Sequence, residues 1–392
     1  MATLVNPVHC IVPPHIIRAL LEHKDKRIRE IALRTLAASI RSRERRNILG
    51  RLPLRAAAGE KTRSIYDAKH NWNSTGTLAR KEGDPPAADA AVNDVYDGFG
   101  HTYDFYKDVL NRNSIDDHGM ELKGFVHYGQ DYDNAFWDGQ EMNFGDGDGV
   151  IFVGFTKALD VIAHELTHGV TQNTADLQYH TQSGALNESF SDVFGSLVKQ
   201  YVKKQTADKA DWLIGEGILA AGVHGEALRS MKAPGTAYDD SKLGGKDPQP
   251  AHMDDYKDLP DDEAGDNGGV HINSGIPNHA FYLLATELGG HAWEDAGHIW
   301  YDTLKQLWPT AQFQDCANVA SQVAGQAFGA GSKQQQAVRS AWSEVGITVA
   351  EPGSRVPSRR RRAEAAAPAN GALKKQLAHV VEELQKVVEE MG

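Results

Sequence analysis

Two histidines four residues apart, His164 and His168, with a glutamate beside the first, constrain this 392-residue chain more than any other feature. They lie in Ala163-His164-Glu165-Leu166-Thr167-His168, where Leu159, Ile162, Leu166 and Val170 recur at the helical period. On a helix, residues four apart stand on one face about a turn apart, so two imidazoles can share a metal ion. Glu165 then reaches a water at the metal rather than the metal itself. Alone, the same letters also describe an ordinary charged helix face. The continuation weakens that reading: Glu188 stands twenty residues beyond His168, in a second helical pattern, Gly184-Ala185-Leu186-Asn187-Glu188-Ser189-Phe190-Ser191-Asp192. A carboxylate there completes a His-His-Glu set and leaves a fourth position open, as catalytic zinc requires. Asp192, one turn further, is placed to fix the tautomer of a ligand histidine.

The rest of the chain has to supply the body that holds those helices. Apolar content of 41% and charged content of 24% are ordinary for a soluble globular protein. No stretch approaches the ~20 apolar residues of a membrane helix, and Met1-Ala2-Thr3-Leu4-Val5-Asn6-Pro7 shows no signal-peptide pattern. Two cysteines, Cys10 and Cys316, do not make a disulfide framework. These features suit the cytoplasm, or secretion by a route without a visible signal peptide. The net charge of −12 is uneven: residues 1–50 carry ten Lys/Arg against four Asp/Glu, hence +6, which leaves −18 for the remainder. A basic segment before an acidic body reads as one that docks on its own protein, and a single charge run is too little for nucleic-acid recognition.

Residues 15–41 carry Ile16, Leu20, Ile28, Ile31 and Ile40, with Leu21, Leu33 and Leu36, at helical spacing, and Pro13-Pro14 fits the start of that helix. The stretch Arg41 to Arg46 and the Ala/Gly residues after it read as an exposed, cleavable linker. From 61 to 155 the pattern is strand- and turn-like: Gly124 to Gly129 predicts a strand, and Phe144-Gly145-Asp146-Gly147-Asp148-Gly149 a tight turn before another. Helical patterns dominate from 157 to 346, broken by a Gly/Pro/Asp-rich region around 232–268. Residues 351–370 read as a linker, and Leu373, Leu377, Val380, Leu384, Val387 and Met391 as an amphipathic helix suited to self-association.

The run from His164 through Asp192 resembles the thermolysin-like neutral zinc metallopeptidases, and the likeness spans roughly residues 60–346. Asn134-Ala135-Phe136-Trp137 is similar to the family's edge strand, where Asn134 and the Ala135 backbone hold the substrate chain. Asp266-Asn267-Gly268-Gly269-Val270-His271-Ile272-Asn273-Ser274-Gly275 is similar to the segment carrying its transition-state histidine. The resemblance makes Arg229 the arginine for a substrate carbonyl, Tyr179 the tyrosine beside the oxyanion, and Asp266 the partner that raises the basicity of His271. Phe152, Phe155, Val161 and Leu228 match the apolar pocket for the side chain after the scissile bond. Taken singly, those four read as core residues, Tyr179 equally as core or as functional, and Arg229 as a surface charge, while Gly268-Gly269-Val270 before His271 and Asn273-Ser274-Gly275 after it argue for a tightly shaped loop rather than a core histidine. The opening Cys10-Ile11-Val12-Pro13-Pro14-His15 resembles the short precursor segment of the protealysin-like branch. Cys10 there reads either as a small packed residue or as a thiolate for the open zinc position.

The resemblance implies an α+β fold of two domains, a β-rich N-terminal one and a mainly helical C-terminal one, with the zinc site in the cleft between them. It divides the chain into an inhibitory propeptide (1–50), the N-terminal catalytic domain with the HExxH helix (51–175), the helical C-terminal catalytic domain (176–350) and a linker with its last helix (351–392). It implies an endopeptidase in which zinc sits on His164, His168 and Glu188, Glu165 moves the proton, His271 and Tyr179 donate to the oxyanion, and protein or peptide chains are substrates. One part of the pattern is broken. The family's paired-calcium site falls on Asp160, Lys199, Asp211, Leu213 and Glu216, and a lysine and a leucine among these speak against a full two-calcium site. A zinc-stabilised scaffold without catalysis would have been free to replace Glu165 or His271, and both are present. A binding protein on a protease fold would need a basic groove, which the acidic body does not offer.

Overall fold

Short apolar runs cut by Gly, Asn and Asp give the first half of the chain strands of two to five residues, which gather into one six-stranded sheet. The computed structural model describes residues 9–49 and 60–349. The strands are β1 (His9–Cys10), β2 (Arg63–Asp67), β3 (Thr77–Lys81), β4 (Leu122–Val126), β5 (Ala135–Trp137) and β6 (Met142–Phe144), in the order β1-β5-β6-β4-β2-β3. Strands β2, β4 and β6 run parallel, while β3 and β5 close the sheet antiparallel. The expected edge strand β5 has gained a neighbour, because β1 pairs with it through Cys10–Phe136 and His9–Trp137. After the glycine turn at 145–149 the described residues add no further strand to this sheet; an isolated bridge from Phe152 to Leu219 and a 3-10 turn, Phe155–Lys157, follow instead.

The N-terminal helix divides in two. Helix α1 (Pro14–Leu21) starts with a proline in its first turn, and α2 (Lys26–Leu49) begins after Asp25, whose carboxylate accepts from Arg27 N at 2.8 Å as an N-cap. Arg41 to Arg46 therefore lie inside α2 rather than in a linker. Arginine is a good helix former, so a run of them continues a helix as readily as it marks a loop. The Ala/Gly residues after it, like the linker and helix expected over 351–392, lie outside the described residues.

A second correction concerns 61–155, which contains the 21-residue helix α3 (Ala90–Leu110). Its sequence is rich in Gly, Val and aromatic residues, which are poor helix formers; burial of Val92, Val95, Phe99, Phe105 and Tyr106 overrides that weak preference. Gly98 has a packing role, since a Cβ there would come 2.7 Å from Ile162 Cδ1. It lets α3 press against α4 (Leu159–Gln172), which carries the two histidines. Helix α5 (Thr181–Lys203) lies along α4 with Gly195 at the contact, where a Cβ would meet Asp160 O at 2.6 Å. Beyond the pair β7 (Leu213–Ile214) and β8 (Arg229–Ser230) come α6 (Asp266–Asn273), α7 (Gly275–Leu288), α8 (Asp295–Leu304), α9 (Phe313–Phe328) and α10 (Lys333–Glu344). The described residues form one compact body, and no helix among them is long and apolar enough to cross a membrane.

Candidate active site

His164, Glu165 and His168 on α4 and Glu188 on α5 are fully buried where the two helices touch. His164 Nδ1 donates to Asp192 Oδ1 at 2.8 Å, and His168 Nδ1 donates to Asn187 Oδ1 at 2.8 Å with Ser191 Oγ at 3.0 Å. With both Nδ1 atoms so engaged, the Nε2 lone pairs face each other 3.0 Å apart. Glu188 oxygens stand 3.6 Å from His164 Nε2 and 3.4 Å from His168 Nε2. Acceptors aimed at one another repel unless a cation lies among them. Two neutral imidazoles and one carboxylate, each offering an atom within 4.8 Å of the others, suit zinc.

Opposite this trio, α6 opens irregularly. Asp266, Asn267, Gly268 and Gly269 have φ of 57°, 51°, 83° and 76°, a left-handed run that Gly tolerates without a Cβ clash. It folds Asp266 back under His271, so that Asp266 Oδ2 accepts from His271 N at 2.8 Å and Oδ1 from His271 Nδ1 at 2.6 Å. The segment expected as a loop is thus a bent helix start. Burial disfavours charge on His271, but Asp266 and then Glu188 outweigh it and hold its pKa up at about 9. Tyr179 Oη donates to Glu188 Oε1 and lies 3.1 Å from His271 Nε2.

Arg229 is a buried residue, not a surface charge. Its Nε and Nη2 donate to Asp192 Oδ2 and Oδ1, each at 2.8 Å, and Asn278 Nδ2 adds 2.9 Å to Oδ2. Asp192 would be pushed up by burial, yet Arg229 and His164 bring it below the usual carboxylate range. Residues 10–12 lie along these groups as an extended chain. Cys10 O accepts from His271 Nε2 at 2.8 Å and Ile11 O from Arg229 Nη1 at 3.0 Å. Ile11 N donates to Ala135 O at 3.2 Å, and Val12 N to Asn134 Oδ1 at 3.0 Å. Phe152, Phe155, Val161 and Leu228 are buried in the same apolar cluster as Ile11, with the two phenyl rings 5.4 Å apart. The Cys10 side chain packs with Ala38, Tyr128, Tyr132 and Phe136, and Cys10 is not one of the three grouped metal ligands. Pro13 is buried and Pro14 half-buried.

At the position expected for calcium, Lys199 Nζ donates to Asp160 Oδ2 at 2.9 Å, Asp211 Oδ1 at 2.7 Å and the Leu213 carbonyl at 2.8 Å; Glu216 is exposed. Sequence reasoning missed Asn187, Ser191, Asn278 and Gln249, whose Nε2 donates to His271 O at 2.7 Å. Asn187 and Ser191 flank Glu188 and Asp192 on an otherwise apolar helix face, a polar stripe that was there to be read. Asn278 and Gln249 carry no such local signal.

The description "Thermolysin metallopeptidase, catalytic domain" matches residues 48–172, and "Thermolysin metallopeptidase, alpha-helical domain" matches residues 175–347. An extracellular metalloprotease of Pectobacterium carotovorum subsp. carotovorum is 50% identical over 350 residues, covering 88% of this chain and 98% of the relative. Protease PrtS of Photorhabdus sp. (strain Az29) is 55% identical over 291 residues, 74% of this chain and 77% of the relative. Among solved structures, the precursor of protealysin, a metalloproteinase from Serratia proteamaculans, is similar with a TM-score of 0.79 and 52% identity, covering 87% of this chain and all of that one.

Proposed function

The chain belongs to the thermolysin metallopeptidase family and is a zinc metalloendopeptidase, and on that premise we propose how its residues divide the work of cutting a peptide bond. His164, His168 and Glu188 would hold zinc, which would supply the Lewis acid that lets a water give up a proton near neutral pH. Glu165 takes that proton during attack and delivers it to the leaving nitrogen. His271, kept protonated by Asp266, and Tyr179 donate to the carbonyl oxygen as its negative charge grows. Asp192 orients His164 and anchors Arg229, which with Asn134 and the Ala135 carbonyl holds the substrate backbone. Phe152, Phe155, Val161 and Leu228 receive a bulky apolar side chain after the cut bond.

The observation that carries this assignment is residues 10–12 themselves, a peptide whose carbonyls and amides meet His271, Arg229, Ala135 and Asn134 in turn. The same observation supports the N-terminal segment as an inhibitory propeptide, with the backbone of Cys10, rather than its thiol, in the cleft. Kinetics on the processed enzyme test the roles. Asn134→Ala and Arg229→Met should raise KM or lower kcat by at least tenfold while zinc content stays stoichiometric; unchanged kcat/KM would remove both residues from substrate binding.

Lys199 takes the place of calcium, its ammonium meeting three oxygens. The Pectobacterium relative is named extracellular, which supports action outside the cell for this enzyme too. Activity recovered only from lysed cells, never from culture medium, would count against it.

A further inference from the structure

His15, the second residue of α1, turns toward the catalytic body. Its Nε2 lies 2.9 Å from Tyr238 Oη, while Nδ1 is sealed from solvent with no hydrogen-bond partner. The residue as a whole is half-buried, and the buried Nδ1 is where the added proton would sit. A neutral ring that donates Nε2–H to Tyr238 leaves at Nδ1 only a lone pair without a donor. A protonated ring would present an Nδ1–H with no acceptor, in the field of the Arg229 guanidinium and His271. Asp266 alone among the facing groups would favour the cation.

Other charged groups around α1 are engaged elsewhere. Arg18 donates to the carbonyls of Glu263 and Ala264, and Lys242, in the turn that packs on α1, to Gly222 O. Asp240 accepts from the amides of His224 and Lys242, and Arg29 of α2 donates to the His23 and Lys24 carbonyls. Glu263 lines the small cavity beside Pro14 and Ile17.

We propose that His15 is an acid-operated release for the N-terminal segment, which docks with a neutral imidazole and leaves the cleft when that imidazole is protonated. The idea names a regulation of the propeptide reading above and rests on it. Burial, with His271 and Arg229 prevailing over Asp266, holds the docked His15 down at about 4 against 6.5 in water. A base with a lowered pKa in the docked state gives full docking strength above the free value, and loses it as pH falls toward the docked value. At pH 5 the docked state should be weakened on the order of thirtyfold relative to pH 7.5.

Hydrogen exchange on the zinc-loaded full-length chain, corrected for intrinsic rates, tests this. Protection of residues 9–21 should fall about thirtyfold from pH 7.5 to 5 in the wild type and less than about threefold in His15→Gln, while β4 stays protected in both. An equal fall in both proteins, or none in the wild type, overturns the proposal. A direct titration of the His15 ring in the wild type needs no variant: a midpoint near 6.5 would also overturn it. Peptide hydrolysis on the same samples separates the two claims. With hydrolysis expressed relative to the processed enzyme at the same pH, acid-induced opening without a rise keeps the release and removes the inhibitory reading; opening with a rise supports both.

Discussion

At Asp192 one carboxylate joins His164, of the candidate metal group, to Arg229, proposed above for the substrate backbone. Glu165 has a different role: it follows His164 in sequence but is not in the metal-ligand group. Glu165→Gln should therefore keep zinc at one equivalent and lower peptide hydrolysis by ~10²–10⁴-fold. Metal analysis beside turnover checks it, and loss of zinc would make Glu165 part of the ligand set. Lys199 allows a prediction of another kind. Lys199→Met should destabilise the enzyme by about 3–5 kcal/mol, because Asp160 and Asp211 are left without their buried cation. A calcium-selective chelator, in contrast, should leave the wild-type melting temperature unchanged. Burial opposes the Lys199 charge, yet Asp160 and Asp211 hold its pKa above 10.5, so the contribution is complete below that value and fades only above it. Asp211 is held below 3.8, where burial is outweighed by Lys199, so its share is lost as pH falls through that region. At this scale the ligands were legible because helical spacing places them: four residues separate His164 from His168, and another four separate Glu188 from Asp192. Asn278 was not, since it reaches Asp192 from a helix 86 residues away.

Helix α3 was invisible at the level of elements for the converse reason: nothing in its local preferences announces it, and its stability comes from what it buries. Its entry is fixed by Asp89, which caps Ala91 N at 2.9 Å and accepts from His127 Nε2 at 2.7 Å. The other face of His127 meets Asp146 at 2.8 Å, in the glycine turn. One imidazole thus ties the start of α3 to the loop that leads toward Phe152. Asp146, then Asp89, overcome burial and lift His127 to about 9 from 6.5. Its stabilisation is complete below pH 6.5 and decays as pH rises through 9, worth ~1 kcal/mol once solvent screening is allowed for. Melting temperatures of wild type and His127→Gln should differ more at pH 6 than at pH 10. An equal difference at both would show that the pair of carboxylates does not act through the charge. The split between α1 and α2 was hidden similarly, because Asp25 reads as one more charge on an amphipathic run until its cap is seen.

Across the whole molecule, the sequence suggested a basic N-terminal segment docked on an acidic body with charge setting its orientation, and the packing of the described residues assigns most of the hold to apolar contact. Among the described residues, the ion pairs between segment and body are Arg27 and Arg34 with Asp131, at 3.8 and 3.9 Å and partly exposed, which together contribute about 0–2 kcal/mol. Ile11, Ile16, Ile17, Leu20 and Ile28 are instead buried in one cluster with residues of the catalytic body, and each such side chain contributes about 1.5–3 kcal/mol. Charge then steers docking more than it sustains it. The precursor should therefore stay silent in ~1 M salt, where screening reaches within ~3 Å, whereas Leu20→Asp should raise peptide hydrolysis toward that of the processed enzyme. Processing itself should fall beyond Leu49: Arg41 to Arg46 are wound into α2, and an endopeptidase that binds chains extended along a strand cannot take a helix as it stands. The measurement is hydrolysis by freshly prepared intact chain, wild type and Leu20→Asp, in low and high salt, beside N-terminal sequencing of the matured product. Activation by salt alone would restore charge as the main hold, and a mature N-terminus inside 26–49 would mean that α2 unwinds before it is cut.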